Sequence, residues 1–265
     1  MKAVVKWTLH QRRWYTVWWT VGVSAFVAIQ LGFYSSFKGQ FDDLNKTLDQ
    51  LPAGVKGLIG DSGNYFSPET YLNSRVFYLV VPLLLVILMI GVGSSLLARE
   101  ERSGTIELIL SRPISRARLL AGKAIAGLTI TGCVALVSLL VCICLSNIVG
   151  IPNTVAQISA AMLLTFLLCL VYGSFAFMLT ALGGKLASYA VGLTTFLFAT
   201  GYVLTGLEAA VSWLETPAKL FPYHYFNPQQ MLLGNYTWGP VLAFSLAIAV
   251  FYTVAWARFR SRDLG

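Results

Sequence analysis

The side chains of this 265-residue chain that could carry out chemistry are few, and their spacing argues against catalysis. The two histidines, His10 and His224, lie near opposite ends of the sequence, and none of the 11 Asp and Glu falls inside a long apolar stretch. No pair of histidines has the His-Glu-x-x-His spacing that holds a catalytic zinc. Gly183-Gly184-Lys185-Leu186 lacks the first glycine and the Ser/Thr of a phosphate-binding loop, so that route to ATP is closed. The four cysteines, Cys133, Cys142, Cys144 and Cys169, stand in apolar surroundings, and Cys142 and Cys144, two apart on a helix, point to different faces. They read as small hydrophobes rather than as a metal site. Proton relays and ion-coupled carriers place acids or histidines at membrane depth, and the apolar stretches hold none.

One segment does concentrate charge. Residues 96–123, LLAREERSGTIELILSRPISRARLLAGK, carry six basic and three acidic side chains. Ile106, Ile109 and Leu110 sit at i, i+3 and i+4, one short apolar face if the segment is helical. Gly104 or Thr105 can start that helix, with Glu107 favourable in its first turn. Pro113 ends it, because the residue before a proline is pushed out of helical geometry. Ser115 is then placed to cap the next helix, with Arg116 and Arg118 at the membrane surface. On the residues alone two readings stand: an amphipathic helix lying in a groove of a cytosolic partner, or an ordinary charged loop whose arginines bind anionic lipid.

The elements that position this loop follow from composition. Hydrophobic residues make up 57% of the chain and charged residues 11%, with mean hydropathy +0.70. Soluble domains carry about 25% charge, so soluble enzymes, disordered proteins and nucleic-acid binders are excluded. A bilayer core of roughly 30 Å takes about 20 apolar residues per helix. The gaps between charges hold six such spans, near 14–37, 76–98, 119–146, 156–183, 187–206 and 238–257. The stretch from Lys123 to Lys185 is long enough for two, divided by the turn residues Gly150, Pro152 and Asn153. Residues 220–237, broken by Pro222 and Pro228, predict short interfacial or re-entrant helices before the last span. The Trp-rich start leads into a full-length span rather than a cleaved signal.

Six crossings put both termini on one side, and that side holds 14 of the 19 Lys and Arg. The positive-inside rule makes it the cytoplasm. Lys2, Lys6, Arg12 and Arg13 among Val4, Val5, Trp7 and Leu9 suit an interfacial helix along the inner leaflet. Lys123 and Lys185, near cytoplasmic span ends, are expected to snorkel to water. On the outer side, Phe41, Leu44, Leu48 and Leu51 predict an amphipathic helix ended by Pro52 and Gly54. Among polar residues within the spans, Ser94, Ser95, Thr194, Thr195 and Thr200 are candidates for a translocation surface, with interhelical packing as the alternative for each. Gly192 and Gly201 are expected to allow close helix approach. The fold expected is an all-α membrane protein, a single transmembrane domain over 1–265, with cytoplasmic termini and a short cytoplasmic helix between spans 2 and 3.

The loop also carries a resemblance. EERSGTIELILSRPISRARLLAGK is similar to the hallmark of the permease subunits of type-2 ABC transporters, through Glu100, Glu101, Gly104, Thr105, Glu107, Pro113, Ser115, Arg116 and Lys123. FPYHYFNPQQMLLGNYTW resembles the family's outer Pro/aromatic segment, and ARFRSRDLG its basic tail, with Ser261 in place of one arginine. The resemblance implies a plasma-membrane subunit, the permease of an exporter for a drug, antibiotic, lipid or other amphipathic substrate. It implies a second permease, identical or related, and two cytosolic ATPase subunits that bind ATP and Mg. This chain then has no cofactor, metal or catalytic residue of its own, and its 96–123 loop is the coupling element on the ATPase. The competing classes are a non-transporting membrane scaffold or sensor subunit and, third, a self-sufficient channel or secondary transporter.

Overall fold

The computed structural model describes residues 1–37, 46, 48, 50–59, 70–102 and 115–261. Helix α1 (Lys2–Gln11) turns at Arg12 into α2 (Arg13–Phe37), and a short α3 (Ala53–Ile59) follows. A π-helical turn, Asn73–Phe77, leads into α4 (Val80–Arg102). Then come α5 (Arg116–Val149), α6 (Val155–Leu182) and α7 (Gly184–Leu207). Short helical pieces, among them α8 (Glu215–Ala218) and α9 (Pro228–Leu232), precede α10 (Trp238–Ser261). Among the described residues the fold is all-helical, and six helices are long and apolar enough to cross a membrane. They fall within a few residues of where the charge-free gaps predict, the largest difference in length being α5. Its 34 residues run about 50 Å at 1.5 Å per residue, longer than a bilayer core.

Local chemistry sets the helix ends. The Ser115 side chain accepts from the Arg118 amide and starts α5. Gly150, with φ of 77°, supplies the left-handed residue that ends it. Thr154 and Gln157 form a reciprocal capping box that starts α6. Asn153, in the intervening turn, donates to the Leu232 carbonyl at 3.0 Å and ties that turn to α9.

Helix α6 is the centre of the bundle: 72% of its most apolar window is buried, against 11% for α10. It packs against α4, α7 and α10, while α2 lies along α5. The α4–α6 contact depends on two glycines. A Cβ on Gly93 would stand 2.5 Å from the Gly173 carbonyl oxygen, and one on Gly173 would meet Met89. Without a lipid-versus-water driving force between helices, such close backbone approach is what makes their association favourable. Of the two glycines expected to serve this purpose, Gly201 does back onto Phe221, but Gly192 has open space beside it. Gly192 corrects the expectation, since a glycine on an apolar helix marks close packing only if a neighbour is there.

The expected outer helix through Phe41, Leu44, Leu48 and Leu51 lies mostly outside the described residues. Gly54, expected just past its end, belongs instead to α3, which Pro52 precedes. Helix α3 rests on the far end of α7, where Gly57 and Gly206 meet backbone to backbone.

Candidate functional site

Residues 103–114 lie outside the described residues, and with them Gly104, Thr105, Ile106, Glu107, Ile109, Leu110 and Pro113 of the expected coupling element. Glu100 and Glu101 belong to the last turns of α4. Beyond the loop, Ser115 caps α5 as the Pro-x-Ser spacing predicts, and Arg116, half-buried, is the first residue of the helix. The loop therefore leaves one spanning helix and enters another with no intervening linker outside residues 103–114.

Helix α1 lies against the first turns of α5. Val4 and Thr8 are its buried residues, and Val4 fits over Gly122, where a Cβ would come within 3.0 Å of the valine. Beside this contact Lys123 is 2% exposed, its Nζ 4.8 Å from the centre of the Trp7 ring. Lys123 was expected to reach water along the membrane surface. It is covered by α1 instead, and the face of the indole offsets part of the cost of removing the ammonium from water. At the other end of α1, Arg12 donates to the Ser95 hydroxyl at 2.7 Å, with its guanidinium 5.8 Å from the Tyr15 ring. Helix α1 is thus attached to α5 through Gly122 and Lys123, and the α1–α2 corner to α4 through Arg12.

The candidate translocation residues do not form one cluster. Ser94 and Ser95 both hydrogen-bond to the Gly91 carbonyl of their own helix, and Ser95 also receives Arg12. Thr194 is buried and donates to Ala190, Thr195 is exposed, and Thr200 is half-buried. Among the described residues no hydrogen bond joins the two serines to the three threonines.

Sequence reasoning missed a group of aromatic residues at the end of the bundle away from the loop. Tyr223, fully buried, packs edge-on against Phe198, Tyr202 and Tyr78 with ring centres 5.5–6.4 Å apart. Its hydroxyl donates to the Tyr78 carbonyl, at the end of the π-helical turn. Tyr78 in turn donates to the Gly57 carbonyl and Tyr202 to that of Leu58. Three tyrosines therefore fasten α3, α7, the head of α4 and the 222–225 turn to one another. Burial pushes the Tyr223 hydroxyl well above the usual phenol value, so it stays a proton donor. On the rim, His224 Nδ1 is 2.9 Å from Glu208 Oε2, which fixes the same turn to the end of α7. A hydrogen bond and ion pair with Lys219 hold the exposed Glu215 carboxyl below its ordinary value. The signal in the sequence was the Pro/aromatic run FPYHYF; the partner tyrosines, 21 and 145 residues away from theirs, carried none.

These features define a multi-pass helical membrane protein whose second and third spans flank residues 103–114, with an N-terminal helix fixed to both spans. Residues 11–264 match the family model described as ABC-2 family transporter protein, and the chain belongs to that family. It is a membrane subunit of an ABC transporter. No curated protein matches the sequence.

Proposed function

We propose that this chain is the permease of an ATP-driven exporter for an amphipathic substrate such as a drug, antibiotic or lipid. It works with a second permease, identical or related, and with two cytosolic ATPase subunits that hold the ATP and Mg. Both termini and the 96–123 loop face the cytoplasm of the cell membrane, and 1–265 acts as a single permease domain. Glu100, Glu101, Gly104, Thr105, Ile106, Glu107, Ile109, Leu110, Pro113, Ser115 and Arg116 engage the ATPase. The observation that carries this reading is the attachment of α1 to both flanks of the loop through Arg12–Ser95 and Lys123–Trp7. A loop built only to carry solvated charge has no need of a buried lysine and a clamped helix at its base. With the loop docked on an ATPase, this frame would carry the nucleotide-driven motion into α2, α4 and α5. The substrate pathway runs along α4 and α7. The exposed face of α7, with Tyr189, Thr195 and Phe196, is turned toward the second permease.

Co-expression with the neighbouring genes tests the assembly: an ATPase is expected to co-purify in detergent, and a chain that never retains one overturns the transporter reading. Charge reversal tests the loop. Glu101→Lys or Glu107→Lys is expected to uncouple ATP hydrolysis from transport by at least tenfold while membrane insertion stays intact. Unchanged transport in both variants removes the coupling role.

A further inference from the structure

A groove of about 390 Å³ runs between α2 and α5, within the roughly 300–1,000 Å³ of ligand sites. One wall is a single face of α2: Thr16, Val17, Thr20 and Val21, at the i, i+1, i+4, i+5 spacing of one helical stripe. The opposite wall is Thr129, Ile130 and Cys133 of α5. The three threonines contribute little polarity. Thr16 donates to the Arg12 carbonyl at 3.1 Å, Thr20 to Thr16 at 2.8 Å and Thr129 to Ile125 at 2.8 Å. With each hydroxyl engaged by its own helix, the groove walls offer methyl groups and a thiol. A ligand that must accept hydrogen bonds finds no free hydroxyl proton on these walls, whereas a hydrocarbon chain meets methyl groups.

Among the described residues, the one charged side chain lining the groove is Arg13, at its α1 end. Arg13 is exposed, and among the described residues its side chain makes no hydrogen bond or ion pair, unlike that of its neighbour Arg12, which is drawn to Ser95. Lys2 and Lys6, also exposed, extend the positive rim along α1. From Arg13 to Val21 the face measures about 12 Å at 1.5 Å per residue, less than half of a roughly 30 Å bilayer core. An occupant therefore stays within one leaflet, head at the arginine and chain along the threonine methyls.

We propose that this groove binds an anionic phospholipid from the leaflet adjoining the basic helix ends, its phosphate on Arg13 and an acyl chain between α2 and α5. Charge complementarity selects this occupant over a second copy of the chain, since a two-fold contact through this face would set one positive rim against the other. The site needs no ATPase, so its failure would leave the transporter reading untouched.

Native mass spectrometry of the full chain, titrated with phosphatidylglycerol or phosphatidylcholine in mild detergent, tests it. The wild type is expected to retain one phosphatidylglycerol in preference to phosphatidylcholine. Arg13→Gln is expected to weaken that binding about fivefold, the factor for one basic side chain at an anionic surface. Val21→Trp, which fills an exposed part of the groove and leaves the charges alone, is expected to abolish the preference. Thr20→Val and Lys185→Gln, the latter at an exposed lysine that does not line the groove, are expected to leave it within twofold. Equal weakening by Lys185→Gln and Arg13→Gln would mean a diffuse charged surface and overturn the proposal. So would unaltered binding in Val21→Trp, or an oxidative Cys133–Cys133 cross-link between copies in native membranes, which would put a second chain over the groove.

Discussion

Gly93 and Lys123 show how one residue type takes its meaning from what lies against it. Gly93 stands so near the Gly173 carbonyl that a methyl group would come within 2.5 Å of a backbone oxygen. Backbone cannot rotate aside as a side chain can, so the helices must separate. Gly93→Ala is expected to destabilise the chain by about 1–3 kcal/mol, the usual range for overpacking. Gly192→Ala, which meets nothing within 4 Å, is expected to be neutral or slightly stabilising. Thermal unfolding in detergent separates the two, and equal midpoints would remove the packing role of Gly93. Both glycines sit in equally apolar sequence, so nothing local distinguishes them. The same holds for Lys123: its position near a span end was legible, but its burial depends on Val4 and Trp7, more than a hundred residues earlier. Ser115 is the opposite case. A cap involves only the next three residues, and the sequence around Pro113 was enough to locate it.

Among the elements, the least legible is the assembly at the far end of the bundle. The Pro/aromatic run at 220–237 predicts short helices, and it contains two, Pro222–Tyr225 and Pro228–Leu232. What the run does not reveal is that its Tyr223 joins the π-helical turn before α4, while Tyr78 and Tyr202 hold α3. Tyr223→Phe keeps the ring and removes the hydroxyl from the Tyr78 carbonyl. A cost of about 1 kcal/mol is expected, the net worth of a typical hydrogen bond. Because the bond joins two elements, the variant is also expected to raise maleimide reactivity at a cysteine placed at 225, measured with the native cysteines replaced. Reactivity equal to that of the parent would show the ring packing alone to be sufficient.

For the whole molecule, the proposed topology rests on six apolar helices and the asymmetric distribution of Lys and Arg. Single cysteines at 45 and 235 are expected to react with an impermeant reagent from outside intact cells, and one at 103 only after the membrane is opened. Any other pattern breaks the proposed orientation. The crossings were legible because the cost of leaving peptide groups unpaired in hydrocarbon forces each long apolar stretch into a helix of its own. That constraint is local and acts on every residue of the stretch, so composition and charge spacing by themselves determined the six spans to within a few residues. Which helices meet was not decided there. All six are nearly uniformly apolar, and lipid is as good an apolar neighbour as another helix. The choice of α6 as centre, the α4–α6 glycine contact, the clamp of α1 over Lys123 and the groove beside Arg13 therefore rest on shape and a few polar bonds between residues far apart in the chain. Only the tertiary structure brings those residues together.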